Sequence, residues 1–104
     1  MTKIITSQDH IDAGIVASKL AARDFAVFVS PVFEIEGERM CVLLDGHHSL
    51  AAALEAGVTP EITEYTSTDH DAVALIERGE IETFLEAVHM GADYRDAITG
   101  KDVW

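Results

Sequence analysis

Basic residues are scarce and scattered in this chain: three lysines and four arginines stand against 19 aspartates and glutamates, for a net charge of −12. A protein that grips nucleic acid by neutralising phosphates and releasing counterions needs clustered cations. No direct DNA binding by this chain alone is therefore expected. The acidity is compatible with simple solubility, and it also allows a basic protein partner or imitation of a nucleic-acid surface. Cysteine is nearly absent. Cys41, the single one, cannot form an intramolecular disulfide, and within the apolar run MCVLL it reads as a small buried hydrophobe rather than a reactive thiol. No apolar run approaches the roughly 20 residues that span a bilayer. The start MTKIITSQDH lacks the basic-then-apolar layout of a signal peptide, so the expectation is a cytoplasmic protein with no membrane association. Only two prolines and seven glycines interrupt 104 residues that are 48% hydrophobic. That balance argues against disorder and suits one domain, residues 1–104, with a modest core.

The patterning that is present predicts a small mixed α/β domain of the α+β class. KIIT is β-prone, and Ser7 or Asp9 is expected to cap a helix whose apolar positions are Ile11, Ile15, Val16 and Leu20, ending near Arg23. FAVFVSPVFEIE reads as extended chain, with Pro31 demanding an edge position or a bulge, and EGER as a turn. Arg39 to Leu44 is apolar without alternation, which suits a strand covered on both faces. A helix from His47 to Ala56 follows, with Gly57 at a left-handed C-cap, and TPEITEYT supplies a further strand, so that strand, helix and strand imply a crossover. STDHDAVALIERG opens with helix-capping residues, and EIETFLEAVHMG carries one apolar stripe of Ile81, Phe84, Leu85 and Val88, read as core. Residues 67–90 thus form a helical extension. The remainder, 91–104, has weak periodicity and reads as a flexible or docking tail.

The corner Asp45-Gly46-His47-His48-Ser49 joins the apolar strand to the alanine-rich helix. Glycine allows a tight turn and a close approach to the backbone. The first N–H groups of a helix, together with its dipole, make a site for an anion such as phosphate. An imidazole there is biased towards its neutral form, able to donate a hydrogen bond or act as a base. Asp45 would repel a phosphate directly, so a role for it needs Mg²⁺ between them or a proton to accept. The plain alternative is that Asp45 caps the helix and the two histidines are partly exposed filler.

VLLDGHHSLAAALEAGVTP, preceded by VFVSPVFEIEGERMC and followed by a strand candidate, resembles the ParB/sulfiredoxin-like superfamily over about residues 3–66. Members of that superfamily often carry an Asp-Gly-His-His-Arg-like or Gly-Cys-His-Arg-like segment between a strand and a helix. The resemblance implies a ParB-like N-terminal or nuclease-type domain whose corner binds the phosphates of CTP or ATP with Mg²⁺. Relatives include nucleases, nucleotide-dependent kinases and partition proteins that use CTP to clamp DNA. Carried across residue by residue, Gly46 is the turn, His47 and His48 are the phosphate-facing pair, and Ala51 to Ala53 form the close-packed helix start. On this likeness the catalytic candidates are Asp45, His47 and His48, and the cofactor-binding candidates Gly46, His47, His48 and Ser49. Ser49 is a departure, because many relatives have arginine there, and a guanidinium fork makes bidentate phosphate contacts that a hydroxyl cannot replace. Weak binding is the expectation, strengthened by Ser49→Arg. The helix-turn-helix domain through which partition proteins read DNA has no counterpart in the patterning.

QDHID, DGHH and TDHDA each set histidine beside carboxylates, so a site using His10, Asp45, His47, His48, Asp69, His70 or Asp71 could in principle hold a divalent metal, but the spacing matches no tight motif and no metal ligands are assigned. Asp69 to Asp71 also suit a helix start, and His89 suits the negative end of the last helix. Three functions follow from these residues. The first is a ParB-like module binding a nucleotide or phosphate ligand, and acting as a nucleotide hydrolase or phosphotransferase if it turns that ligand over. The second is a catalytically inactive, acidic regulatory or protein-interaction protein on the same fold. The third is a metal-dependent nuclease, for which a chain without a basic track is a poor start.

Overall fold

A strand that is apolar at every position can be buried only if both of its faces are covered. The computed structural model describes residues 2–8 and 10–103, and in it Met40, Cys41, Val42, Leu43 and Leu44 are all buried within one strand. The chain runs β1 (Lys3–Gln8), α1 (Ala13–Ala22), β2 (Ala26–Val29), β3 (Phe33–Ile35), β4 (Glu38–Asp45), α2 (His47–Ala56), β5 (Glu61–Glu64), α3 (Val73–Glu77), α4 (Ile81–Ala87) and β6 (Gly91–Asp96). β4 is the apolar strand. Sheet order is β5-β2-β4-β1-β6, with β3 also paired to β4. β1 lies parallel to β4, β2 and β3 antiparallel to it, β5 parallel to β2, and β6 antiparallel to β1. α2 therefore carries the chain over β2 to its far edge, which is the crossover expected from the strand-helix-strand pattern.

The two faces of β4 feed different cores. Met40, Val42 and Leu44 pack with Ile5, Phe33, Val73, Phe84 and Val88, while Cys41 and Leu43 pack with Val27, Val29 and Leu50 of the opposite layer. α1 and α2 meet through Val16, Ala52, Ala53 and Phe25. The result is a small α+β domain with a mixed sheet and four helices. Residues 67–90 are more than an extension, because fully buried Val73 and Phe84 close the second face of the sheet. The expected stripe of Ile81, Phe84, Leu85 and Val88 does face that core.

Several local expectations are corrected. Asp12 caps α1, its Oδ1 accepting from the Ile15 N–H at 3.0 Å. Ser7 lies instead inside β1, where its hydroxyl oxygen accepts from the Met90 N–H at 2.7 Å, and Asp9 lies outside the described residues. Ile11 precedes the helix, and both it and Ile15 are exposed. The Asp69 carboxylate accepts from the N–H and the hydroxyl of Thr66, which closes a turn, so α3 begins only at Val73 with no side-chain cap. Pro31 breaks the strand between β2 and β3, since proline has no N–H to give the ladder. Buried Ser30 fills the gap: its hydroxyl accepts from the Val42 N–H and donates to the Pro31 carbonyl, both at 2.9 Å. Residues 91–103 are not a tail. β6 pairs with β1, and Asp96 then turns the chain by accepting from the N–H groups of Ile98 and Thr99.

β4 passes into α2 through Gly46, which sits in the left-handed region at φ 86°. A Cβ at this position would stand 2.5 Å from the carbonyl oxygen of Ala26 and 2.9 Å from Cα of Val27. The group that approaches the bare glycine is thus the backbone of β2. Gly57 ends the same helix at φ 69°, with open space where its Cβ would be. Gly46→Ala is expected to destabilise by about 2–5 kcal/mol, combining roughly 1–2 for the left-handed backbone with about 1–3 for overpacking. Gly57→Ala should cost only the first part, about 1–2 kcal/mol. Urea unfolding of the two variants checks this, and equal losses would show that the contact with β2 carries no weight.

Candidate functional site

The first turn of α2 has no side-chain cap. Asp45, the residue placed to cap it, instead accepts from the neighbouring Gly46 N–H at 2.7 Å. Leu50 is the first residue whose N–H reaches a carbonyl of the turn, that of Gly46 at 2.8 Å. The N–H groups of His47, His48 and Ser49 are left without an intrahelical acceptor. With the helix dipole behind them, they favour an anion in front of the helix. A cleft of about 270 Å³ opens there, walled by Gln8, Ile15, Lys19 and residues 45–49. Lys19 pairs with Asp24 at 3.0 Å across its edge.

The side chains of the corner reach in three directions. Nε2 of His47 lies 3.1 Å from Oγ1 of Thr6 on β1. Burial, above all, holds the pKa of this ring below the ordinary 6.5; His48 and Arg95 push it the same way and Asp45 opposes them. Nε2 of His48 accepts from the Asp12 N–H at 3.1 Å, so the proton of the neutral ring sits on Nδ1. Ser49 is 2% exposed, and its hydroxyl donates to Asp24 at 3.4 Å. Asp24 also takes bonds from Lys19 and the Ala26 N–H, and these, Lys19 first, hold its carboxyl below the usual range. An arginine at position 49 would enter a buried place facing that carboxylate. The gain in phosphate affinity expected of Ser49→Arg therefore has no support in the geometry.

The candidates consequently divide. Gly46 makes the turn, and the backbone of residues 47–49 faces the cleft, whereas the His47, His48 and Ser49 side chains brace α2 against β1, α1 and the loop before β2. Asp45 is exposed and close enough to Tyr65 to help burial raise the pKa of that phenol. Of the other histidine–carboxylate segments, QDHID meets the corner through Gln8, which lines the cleft, and through the Asp12 N–H bonded to His48. His70 accepts from the Ala72 N–H through Nδ1, and His89 follows α4 and sits edge-on to Tyr94 at 5.9 Å. Among the described residues no three His, Cys, Asp or Glu side chains gather into a group able to hold a metal ion. Cys41 is buried, which pushes its thiol up to about 11, as befits a core side chain. Thr6, Asp12, Lys19, Asp24 and Arg95, which surround the corner, come from other elements, and no spacing in the sequence connects them to it.

No family model matches this chain, and neither a curated protein nor a solved structure matches it.

The buried state of His47 has a measurable consequence. Its folded pKa is depressed, so well above 6.5 the ring is neutral in both folded and unfolded states. As the pH falls through 6.5 towards the folded value, the unfolded chain takes up the proton more readily and stability is lost. The C2–H resonance of His47 should titrate below the ordinary imidazole value. The loss of stability on acidification should be smaller in His47→Gln than in the parent. Identical pH–stability curves would refute this account of the ring.

Proposed function

We propose that the chain is a small ParB/sulfiredoxin-like module, acting in the cytoplasm, that takes the phosphate of CTP or ATP, or another phosphate, at the start of α2. One observation carries the reading: the first turn of α2 has no side-chain cap among the described residues, and residues 45–49 line a cleft that also bears Lys19. That turn is also where the Asp-Gly-His-His corner of the superfamily engages phosphates. The backbone donors hold the anion, and Lys19 can exchange Asp24 for it. Asp45 repels a triphosphate, which makes a Mg²⁺ ion carried by the phosphates themselves the natural counter-charge, since the described residues assemble no metal-holding group of their own. His48 accepts the Asp12 N–H at Nε2, so its ring is not free as a base while that bond holds, and His47 is tied through Nε2 to Thr6. Binding without turnover is the form of the reading that these bonds support.

A second reading is an acidic regulatory protein on the same scaffold, with a basic protein as partner. The engaged histidines and the carboxylates Asp12, Asp24 and Asp45 around the corner favour it. A membrane role has no such support, as no helix among the described residues is long and apolar enough to cross a bilayer. A metal-dependent nuclease has none either.

Titration with inorganic phosphate, CTP and ATP, each with and without Mg²⁺, separates the first two readings. Phosphate ligands should move the amide resonances of His47, His48 and Ser49. Lys19→Gln should weaken binding and Asp45→Asn strengthen it, each by about two- to fivefold, the scale of a solvent-exposed charge contact. Unmoved amides at residues 47–49 in the folded protein, with every ligand, would remove the phosphate reading and leave the interaction protein.

A further inference from the structure

A second cavity lies on the flank of α2, away from its first turn. Register places Arg95 of β6 directly opposite Thr6 of β1, and paired residues on neighbouring strands point to the same face of a sheet. That face is the one α2 covers, and His47 of α2 reaches Thr6 there. Arg95, Thr6 and His47 thus converge at one end of a cavity of about 250 Å³. Its floor and wall are apolar, built by Leu43, Leu50, Ala51 and Leu54, and Ile11 and Ile98 stand at its rim. Leu54, Ile11 and Ile98 are 43%, 40% and 52% exposed, an unusual amount of bare hydrocarbon around one opening.

Arg95 is what gives this cavity a preference. Three of the seven Lys and Arg residues are partly buried. Lys3 is paired with Glu38 and Lys19 with Asp24. Among the described residues Arg95 has no carboxylate within 4.0 Å, although the chain carries 19 acids, and the one acceptor its side chain meets there is the main-chain carbonyl of Gln8. A guanidinium has five N–H donors in a planar fork, so most of them have no acceptor among the described residues. Asp96 also lines the cavity, but its Oδ1 is taken by the N–H groups of Ile98 and Thr99. The positive charge is felt locally, since Arg95 is among the groups that disfavour protonation of His47.

We infer that this cavity binds a small monocarboxylate with an apolar body, the carboxylate on the Arg95 fork beside Thr6 and His47, and the hydrocarbon against Leu50, Ala51 and Leu54. At about 30 Å³ for each water-sized group, the space admits a ligand of roughly eight to ten heavy atoms. A bidentate arginine contact selects the planar head, and the apolar wall selects the body. The assignment does not depend on a phosphate at the start of α2. The two clefts share Gln8 and His47 but present different donors, backbone N–H groups in one and a guanidinium in the other.

Octanoate, its neutral counterpart octanamide and inorganic phosphate, each titrated while amide resonances are followed, test the inference. Octanoate should move the amides of Leu50, Ala51, Leu54 and Arg95 to Thr99. Octanamide should bind roughly tenfold to a hundredfold more weakly, the worth of one charge-assisted contact. Arg95→Gln should abolish that difference. Because this variant also loses the bond to Gln8, Leu54→Glu provides a second arm: at an exposed helix position it leaves the fold intact, and it should weaken octanoate more than octanamide. Inorganic phosphate should leave Leu54 and Ile98 unmoved, whatever it does at residues 47–49. The inference is overturned if octanoate moves none of these amides, if octanoate and octanamide bind alike, if folded Arg95→Gln still distinguishes them, or if inorganic phosphate moves Leu54 and Ile98 as octanoate does.

Discussion

The carbonyl oxygen of Ala26 occupies the space where any side chain at position 46 would begin. This single approach between the β2 backbone and Gly46 fixes where β4 ends, where α2 starts and which way its first turn faces. From it follow the placement of His47 beside Thr6, of His48 beside the Asp12 N–H, and of Ser49 beside Asp24. Each of those bonds ties α2 to a different element, so the corner acts as a joint between the sheet and the α1–α2 layer. A glycine that reads as an opening for a ligand is, in the folded chain, where the backbone of β2 closes against the turn between β4 and α2.

What was legible in the sequence is what local rules govern. The unbroken apolar run of β4, the helix from His47 to Ala56 and the left-handed Gly57 follow from periodicity and capping alone, and they emerge with the expected bounds or within a residue of them. β6 was not legible. It is an edge strand with half-exposed, mixed-charge residues such as Asp93 and Arg95, and pairing with β1 rather than any side-chain pattern makes it a strand. The start of α3 failed for a related reason: Asp69 finds Thr66 behind it before it finds a helix ahead of it. In the corner, residue types indicated a group of polar residues but not their directions. Those depend on Thr6, Asp12 and Asp24, which the chain brings in from far away.

Electrostatics runs through the molecule as a shortage of cations rather than a surplus of bridges. Among the described residues three of the seven basic side chains form ion pairs, Lys3–Glu38, Lys19–Asp24 and Arg78–Glu80, all at least partly exposed and each worth little. Arg23 lies over the Phe25 ring. The remaining acids repel one another in the folded state, so added salt should favour folding by screening them. Stability rests instead on the two apolar layers flanking β4 and on the backbone ladder, in which even the break at Pro31 is mended by a buried hydroxyl.

Two edge strands of the sheet, β5 and β6, bear on how copies of the chain meet. An unpaired strand invites the same strand of another molecule to zip onto it. β5 is exposed along its whole length and carries Glu61 and Glu64, so two such borders laid side by side would bring like charges into register. β6 is shielded differently, because the chain folds back past Asp96 and the Val103 N–H reaches the Tyr94 carbonyl. At β5, then, acidity that contributes nothing to the core works against the addition of a second sheet to this one at high concentration.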